Sequence, residues 1–254
     1  MRVTIKIGSN VLTRADGSLD VTRMSSLVDQ IATLRAMGHE VILVSSGAVA
    51  SGRSELKHIQ HDLDSVDQRQ LFSAVGQAKL INRYFELFRE YGIAVGQVLT
   101  TKENFADSEH RKNQENCMRV MLENSVLPIV NENDTVSITE LMFTDNDELS
   151  GLIARMTCSQ MLIILSNIDG IYTGNPSDPD SKLISIVKPG KDISQYIHAS
   201  KSSAGRGGMR SKSSVASATA AAGISVIIAN GKRENILVRL MNDRDNTPCT
   251  EFLC

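Results

Sequence analysis

Paired cysteines, long apolar runs and a strong net charge are all missing from this sequence, and each absence removes a class of protein. The four cysteines, Cys117, Cys158, Cys249 and Cys254, form no C-x-x-C pair. Neither a disulfide framework nor a zinc site is therefore suggested, and such usage suits a reducing compartment. The longest apolar runs, such as Met161 to Leu165, are too short to cross a bilayer. Met1-Arg2 leads into a strand pattern broken by Lys6, not into a signal peptide. A formal net charge of -2 gives the surface no nucleic-acid character. With 41% hydrophobic and 22% charged residues over 254 positions, the composition is that of a soluble globular chain long enough for a large core. The expectation is a soluble cytoplasmic protein with neither membrane nor nucleic acid as partner.

Locally, one sign of charge disappears twice. Between Ile193 and Arg233 there is no Asp or Glu, while Lys201, Arg206, Arg210, Lys212, Lys232 and Arg233 are all basic. Within that stretch Gly205-Arg206-Gly207-Gly208-Met209-Arg210-Ser211-Lys212 runs into the small residues Ser213 to Ala222. Three glycines in four positions let the backbone approach a ligand closely. A helix starting after them would turn unpaired N–H groups and a positive dipole end toward the loop, which makes an anion site. The same composition also fits a flexible linker, although a linker has no use for four cations and a helix start.

The reverse holds from Val120 to Ala154, which has no Lys or Arg but carries Glu123, Glu132, Asp134, Glu140, Asp145, Asp147 and Glu148. The runs Asn131-Glu132-Asn133-Asp134 and Asp145-Asn146-Asp147 suggest a site for an ammonium group, a metal, or both. Asp and Asn are equally the residues favoured in turns and helix caps. An EF-hand is excluded, because Leu149 and Ser150 stand where that loop needs Asp/Asn and Gly.

Taken in order, Val3 to Gly8 reads as a strand ending at Gly8-Ser9-Asn10. Lys6 is costly to bury there without a partner; it belongs either to the wet face of an edge strand or to a strand end facing an anion. Asp20 caps a helix through Met37 with Gly38 just beyond it, and Glu40 to Val44 forms a buried strand. Gly47 to Ser54 nearly matches a P-loop but lacks its lysine, so the Walker reading is rejected, while a strand, Ser/Gly turn and small-residue helix remain a good anion cradle. A long amphipathic helix covers about Asp67 to Tyr91, with Leu71, Phe72, Val75, Leu80, Tyr84, Leu87 and Phe88 on its apolar side. Strands follow at Ile93–Thr100, Ser125–Val130, Gln160–Ser166 and Ile224–Ala229, with helices at His110–Asn124, Asp145–Thr157 and Glu234–Met241, and a hairpin over Thr135–Phe143. Such β-α alternation with apolar strands predicts an α/β fold, a three-layer αβα sandwich with a mostly parallel open sheet. Ligands then sit at the carboxyl ends of the strands. One domain over 1–254 is expected, with lobes of about 1–157 and 158–254.

Together, Lys6 with Gly8-Ser9-Asn10, Ser45-Ser46-Gly47-Ala48, Asn131-Glu132-Asn133-Asp134, Phe143-Thr144-Asp145-Asn146-Asp147 and Gly207-Gly208-Met209 with Lys212 resemble the amino acid kinase family. Within it the motifs are most similar to those of members that phosphorylate the side-chain carboxylate of glutamate, the first step of proline synthesis. That resemblance implies catalytic roles for Lys6, Lys212 and Asp147, the lysines steadying the phosphoryl group and the aspartate orienting them. It implies L-glutamate binding by Ser46, Gly47, Asp134 and Asn146. It implies ATP binding by Lys6, Ser166, Asn167 and the run Arg206, Gly207, Gly208, Met209, Arg210, Ser211 and Lys212, with Mg²⁺ carried by the ATP phosphates and no direct protein ligand. A homo-oligomer (dimer or tetramer), proline inhibition and a downstream reductase, glutamate-5-semialdehyde dehydrogenase, belong to the same implication. Asn167 stands where the family commonly has Asp, and a C-terminal PUA domain found in many relatives is expected to be absent. Other substrates of the fold (acetylglutamate, aspartate, carbamate, UMP) and a non-catalytic amino-acid sensor are the alternatives. A dinucleotide oxidoreductase is disfavoured, since Arg210 occupies a position that needs a small residue.

Overall fold

A computed structural model describes residues 1–56, 63–137, 143, 145–196 and 208–254. Its centre is an eight-stranded sheet built from β1 (Arg2–Ile7), β2 (Glu40–Ser45), β3 (Val95–Thr100), β4 (Leu127–Glu132), β5 (Met161–Ser166), β6 (Ile186–Val187), β7 (Ser225–Asn230) and β8 (Cys249–Phe252), in the order β3-β4-β2-β1-β5-β7-β8-β6. Every pairing is parallel except that of β7 with β8. The central strands are dense in Val, Ile and Leu because both of their faces are covered.

The helices are α1 (Ser9–Leu12), α2 (Val21–Ala36), α3 (Ala48–Glu55), α4 (Ser65–Arg89), α5 (Glu103–Ala106), α6 (Ser108–Glu123), α7 (Asn146–Met156), α8 (Met209–Ala220) and α9 (Ile236–Asn242). On one face Leu27, Val28 and Ile31 of α2, Leu80 and Tyr84 of α4, and Leu237 of α9 pack on Val3, Ile5 and Ile7. On the other, α6 and α7 cover Ile42, Val44 and Val130, while α7 and α8 cover Leu162, Ile164, Val226 and Ile228. Two helical layers around one sheet make the expected three-layer αβα sandwich, a solution forced by a sheet that is apolar on both sides.

Lys6 is not on an edge. β1 is hydrogen-bonded to β2 on one side and β5 on the other. Side chains alternate along a strand, so Val3, Ile5 and Ile7 enter the α2 layer and Lys6 points to the α7–α8 layer.

Other boundaries moved for identifiable reasons. The long helix expected from about Asp67 starts at Ser65, because Asp64 caps α4 by accepting from the N–H groups of Val66 and Asp67. The helix expected from Ser213 begins at Met209, with extended Gly208 as its N-cap; Met, Arg, Ser and Lys are all acceptable in a helix, so the glycine loop ends sooner than composition suggests. The short strands β6 and β8 were not anticipated, being two and four residues long. Most of the hairpin expected over 135–143 lies outside the described residues.

Candidate active site

The parallel strands β1, β2, β4, β5 and β7 end together at Ile7, Ser45, Glu132, Ser166 and Asn230, and the polar turns gather on that edge. At its centre Lys6 Nζ lies 2.6 Å from Asp147 Oδ1, and Lys212 Nζ lies 2.9 Å from Asp147 Oδ2. Each oxygen of one carboxylate faces one ammonium group. Asp147 is fully buried and Lys6 is 4% exposed. Burial pushes the Asp147 carboxyl upward, but the charges and hydrogen bonds of Lys6 and Lys212 outweigh it and hold the group below its ordinary value.

The three side chains meet because three elements end in the same place. Lys6 is the penultimate residue of β1, Asp147 is in the first turn of α7, and Lys212 is in the first turn of α8. Both helix N-termini therefore add positive potential to the two lysines. Asp145 caps α7, its Oδ1 accepting from Asp147 N at 2.8 Å and Glu148 N at 3.1 Å. Burial and the neighbouring negative charge of Asp147 raise the Asp145 carboxyl, against smaller lowering contributions from Ser211, the Glu148 N–H and Lys6.

Beside this bridge runs a polar chain. Asn146 Nδ2 donates to Ser46 Oγ and to Asn131 Oδ1, both at 2.9 Å. Asn131 Nδ2 donates in turn to Gln77 Oε1 at 2.8 Å. Ser46 is presented by the left-handed turn at Gly47, φ 109°, from which α3 starts. So Ser46, Gly47 and Asn146 lie together next to Asp147.

Asp134 has a partner that the sequence did not reveal. Arg69 of α4 donates from Nε to Asp134 Oδ1 at 2.8 Å and from Nη2 to Glu132 Oε2 at 2.8 Å, and Nη2 also reaches Asp134 Oδ1. Glu132 Oε1 additionally accepts from Phe143 N at 2.9 Å. A cavity of about 230 Å³ opens beside Glu132 and Asp134, with Gln77 also in its wall. A larger one of about 420 Å³ lies at the opposite, amino end of the strands, between Arg2, Glu40 and Gln160, where Arg2 Nε pairs with Glu40 Oε2 at 2.9 Å.

On the β5 side, Ser166 Oγ closes the next turn, accepting from Ile168 N at 3.1 Å and donating to Ile168 O at 3.0 Å. Asn167 is exposed, as is Arg210, while Gly208, Met209, Ser211 and Lys212 are half-buried at the start of α8. Arg206 and Gly207 fall outside the described residues. Asp169 ties this turn to the one after β7: it accepts from Arg233 Nε at 2.6 Å and Nη2 at 2.7 Å, and from Asn230 and Tyr172 at 3.2 Å. Among the described residues no cluster of three or more His, Cys, Asp or Glu is arranged to hold a metal.

Sequence reasoning missed Arg69, Gln77 and Asp169, and it named Asn131 and Arg233 only as members of a polar run and a basic stretch, without their partners. Arg69 and Gln77 are eight apart on α4, and a cation in the half-buried face of an amphipathic helix was the available signal for the first.

The sequence profile of the amino acid kinase family matches residues 1–230. The chain belongs to the amino acid kinase family. It is 70% identical over 252 residues to a glutamate 5-kinase from Bacteroides thetaiotaomicron, covering 99% of this chain and 70% of that protein. It is 47% identical to a glutamate 5-kinase from Chlorobaculum tepidum, covering 93% of this chain and 65% of the relative. The chain thus spans about two thirds of the length of such relatives. Its fold is shared by a carbamate kinase from Giardia lamblia, solved with AMP-PNP, at a TM-score of 0.70 and 17% identity, covering 99% of this chain and 98% of the other.

Proposed function

We propose that this chain transfers the terminal phosphoryl group of ATP to the side-chain carboxylate of L-glutamate, giving L-glutamyl 5-phosphate. The observation that carries it is the Lys6–Asp147–Lys212 bridge at the carboxyl edge of the sheet, in a chain 70% identical to a named glutamate 5-kinase.

The acceptor is a carboxylate, already nucleophilic, so no general base is needed. The task is to bring two anions into line and to neutralise charge on the migrating phosphoryl group. Lys6 and Lys212 supply two fixed cations, and the N-terminus of α8 adds oriented N–H groups. Asp147 holds the lysines a defined distance apart and keeps them from repelling one another. Since both of its oxygens face ammonium groups, it has none to spare for a metal, so Mg²⁺ fits as a companion of the ATP phosphates, where it supplies further charge neutralisation.

Ser46, Gly47, Asn146 and Asp134 form the amino-acid side of this reading, within residues 1–157. Ser166, Asn167 and the run 206–212 form the nucleotide side, within 158–254. An acyl phosphate product requires a reductase downstream, and the same reading carries a cytoplasmic location and a homo-oligomer.

The test is hydroxamate trapping. With ATP, Mg²⁺ and hydroxylamine, glutamate is expected to give hydroxamate while aspartate and acetylglutamate give little. A product with either competitor that exceeds the one with glutamate would overturn the assignment.

A further inference from the structure

We propose that Tyr84 is a positioning residue for the acceptor side of the site: its hydroxyl, acting through Ser45, fixes the Ser46–Gly47 peptide. The role rests on the reading of Ser46 and Gly47 as holders of the amino acid, and deepens it.

Packing explains the ring of Tyr84 but not its oxygen. Leu80, Tyr84 and Phe88 stand four residues apart along α4 and form one buried stripe. The Tyr84 ring stacks on that of Phe88 with centroids 6.1 Å apart. Phenylalanine would fill the same space without carrying a polar atom into the core. Along β2, Val41 and Leu43 face the α2–α4 layer while Ile42 and Val44 face the other. Alternation puts Ser45, the last residue of that strand, on the first of these faces. There its Oγ lies 2.8 Å from the Tyr84 hydroxyl, with both side chains fully buried.

The direction of that bond follows from a count of hydrogens. Ser45 Oγ donates to Ser46 O at 3.0 Å, and a serine hydroxyl has only one hydrogen to give. Tyr84 is therefore the donor to Ser45, and Ser45 the donor to the Ser46 carbonyl. Burial pushes the tyrosine hydroxyl upward against a smaller lowering effect of Ser45, so the group stays protonated and keeps its role as donor. Ser46 N donates to Ile7 O at 3.1 Å, and Ser46 Oγ accepts from Asn146 Nδ2 at 2.9 Å. Ser46 is thus held at its N–H, its carbonyl and its hydroxyl, and the carbonyl hold is the one that comes from Tyr84. In a trans peptide the carbonyl and the following N–H point opposite ways. With Ser46 O held by Ser45, the Gly47 N–H is turned away from that side. A core tyrosine on α4 in this way sets how a backbone donor and the Ser46 hydroxyl are presented at the turn from which α3 starts.

Tyr84→Phe keeps the ring and removes the oxygen, so hydroxamate kinetics with glutamate and ATP varied in turn test the role. The KM for glutamate should rise about three- to tenfold, as for the loss of one hydrogen bond, with kcat and the KM for ATP within about twofold of the parent. Ser45→Ala should raise the glutamate KM likewise and lower the unfolding temperature more, because it leaves the tyrosine hydroxyl buried without its acceptor. Combining Tyr84→Phe with Ser45→Ala separates positioning from stability. Removing both polar partners should bring the unfolding temperature back near that of the parent while the glutamate KM stays raised. A glutamate KM that returns to the parent value along with the unfolding temperature would mean that the pair serves stability alone, and would overturn the proposal. So would Tyr84→Phe kinetics equal to those of the parent, or an equal rise in the KM for ATP. If a single variant fails to fold, the double variant carries the same decision. A parent that forms no hydroxamate from glutamate removes the kinase reading itself, an outcome distinct from shifted constants in active variants.

Discussion

Gly151 and Val215 meet where α7 packs on α8: a Cβ placed on the glycine would stand 2.9 Å from Val215 Cγ1 and equally close to Thr219 Oγ1. Gly151 is four residues beyond Asp147 and Val215 three beyond Lys212, so this contact lies one turn behind the ion bridge. The missing side chain is what lets the two helix starts come near enough for one carboxylate to hold both lysines. Gly151→Val should destabilise the fold by about 1–3 kcal/mol through overpacking. It should also reduce turnover by more than the stability loss explains, since about 1 Å of misplacement can cost on the order of 10²-fold. Val215→Ala in the same chain should recover part of both, measured by thermal unfolding and initial rates; no recovery would place the damage elsewhere.

The lysines themselves should separate turnover from affinity. Lys6→Ala or Lys212→Ala is expected to lower kcat by on the order of 10²–10³, with the KM for glutamate changing far less, because their interactions strengthen as charge develops on the phosphoryl group. Steady-state kinetics decide it, and turnover within a few-fold of the parent in both variants would defeat the phosphoryl role.

The frame that carries this bridge could be read from the sequence, and the reason is local. Apolar strands, the Asp20 and Asp145 caps and the small-residue helix near Ser213 each declare themselves within a few residues and imply a carboxyl edge where ligands sit; that Lys6, Ser46 and Asp147 share it was implied by the family resemblance. Pairings across long sequence separations do not declare themselves. Arg69 is 63 residues from Glu132 and 65 from Asp134, and its place on the half-buried face of α4 signals a partner without saying which one. The assignment of Asp134 to an incoming ammonium therefore overlooked a cation already beside it. The central position of β1, likewise, comes from strand order, which no single strand encodes.

Neighbouring carboxyls should respond to pH in opposite senses. Asp147 is held below its ordinary value by the two lysines despite its burial. Its contribution is present above the unfolded value of about 4 and is lost as pH falls through the depressed folded value. Asp145 is raised by burial and by Asp147. Its ionisation opposes folding, and the stability associated with its protonated form is lost as pH rises from about 4 through the raised folded value. Asp147→Asn should therefore cost about 3–5 kcal/mol near neutrality, by leaving two cations without their partner, and cost less below about pH 4. Asp145→Asn retains a good capping residue and should compare better with the parent at pH 7 than at pH 3.5. Urea unfolding at several pH values tests both, and parallel profiles for the two variants would refute the assignment.

The placement of Ser46, assigned above to the amino acid, depends on a helix contact closer than the one behind the lysines. A Cβ on Gly76 would lie 1.8 Å from Ala48 O, and one on Gly52 would lie 1.8 Å from Phe72 O. Backbone stands against backbone there, so no side-chain rotation can relieve the overlap, and α3 must shift away from α4. Because α3 begins directly after Ser46-Gly47, that shift would move Ser46 away from Asn146. Gly76→Ala and Gly52→Ala should each destabilise by about 3 kcal/mol or more, at the upper end for overpacking. Variants that remain folded should show a raised KM for glutamate with the KM for ATP nearly unchanged, because Lys6 and α8 do not rest on this contact. An equal rise in both constants would mean that the α3–α4 packing supports the whole edge of the sheet and not the amino-acid side alone.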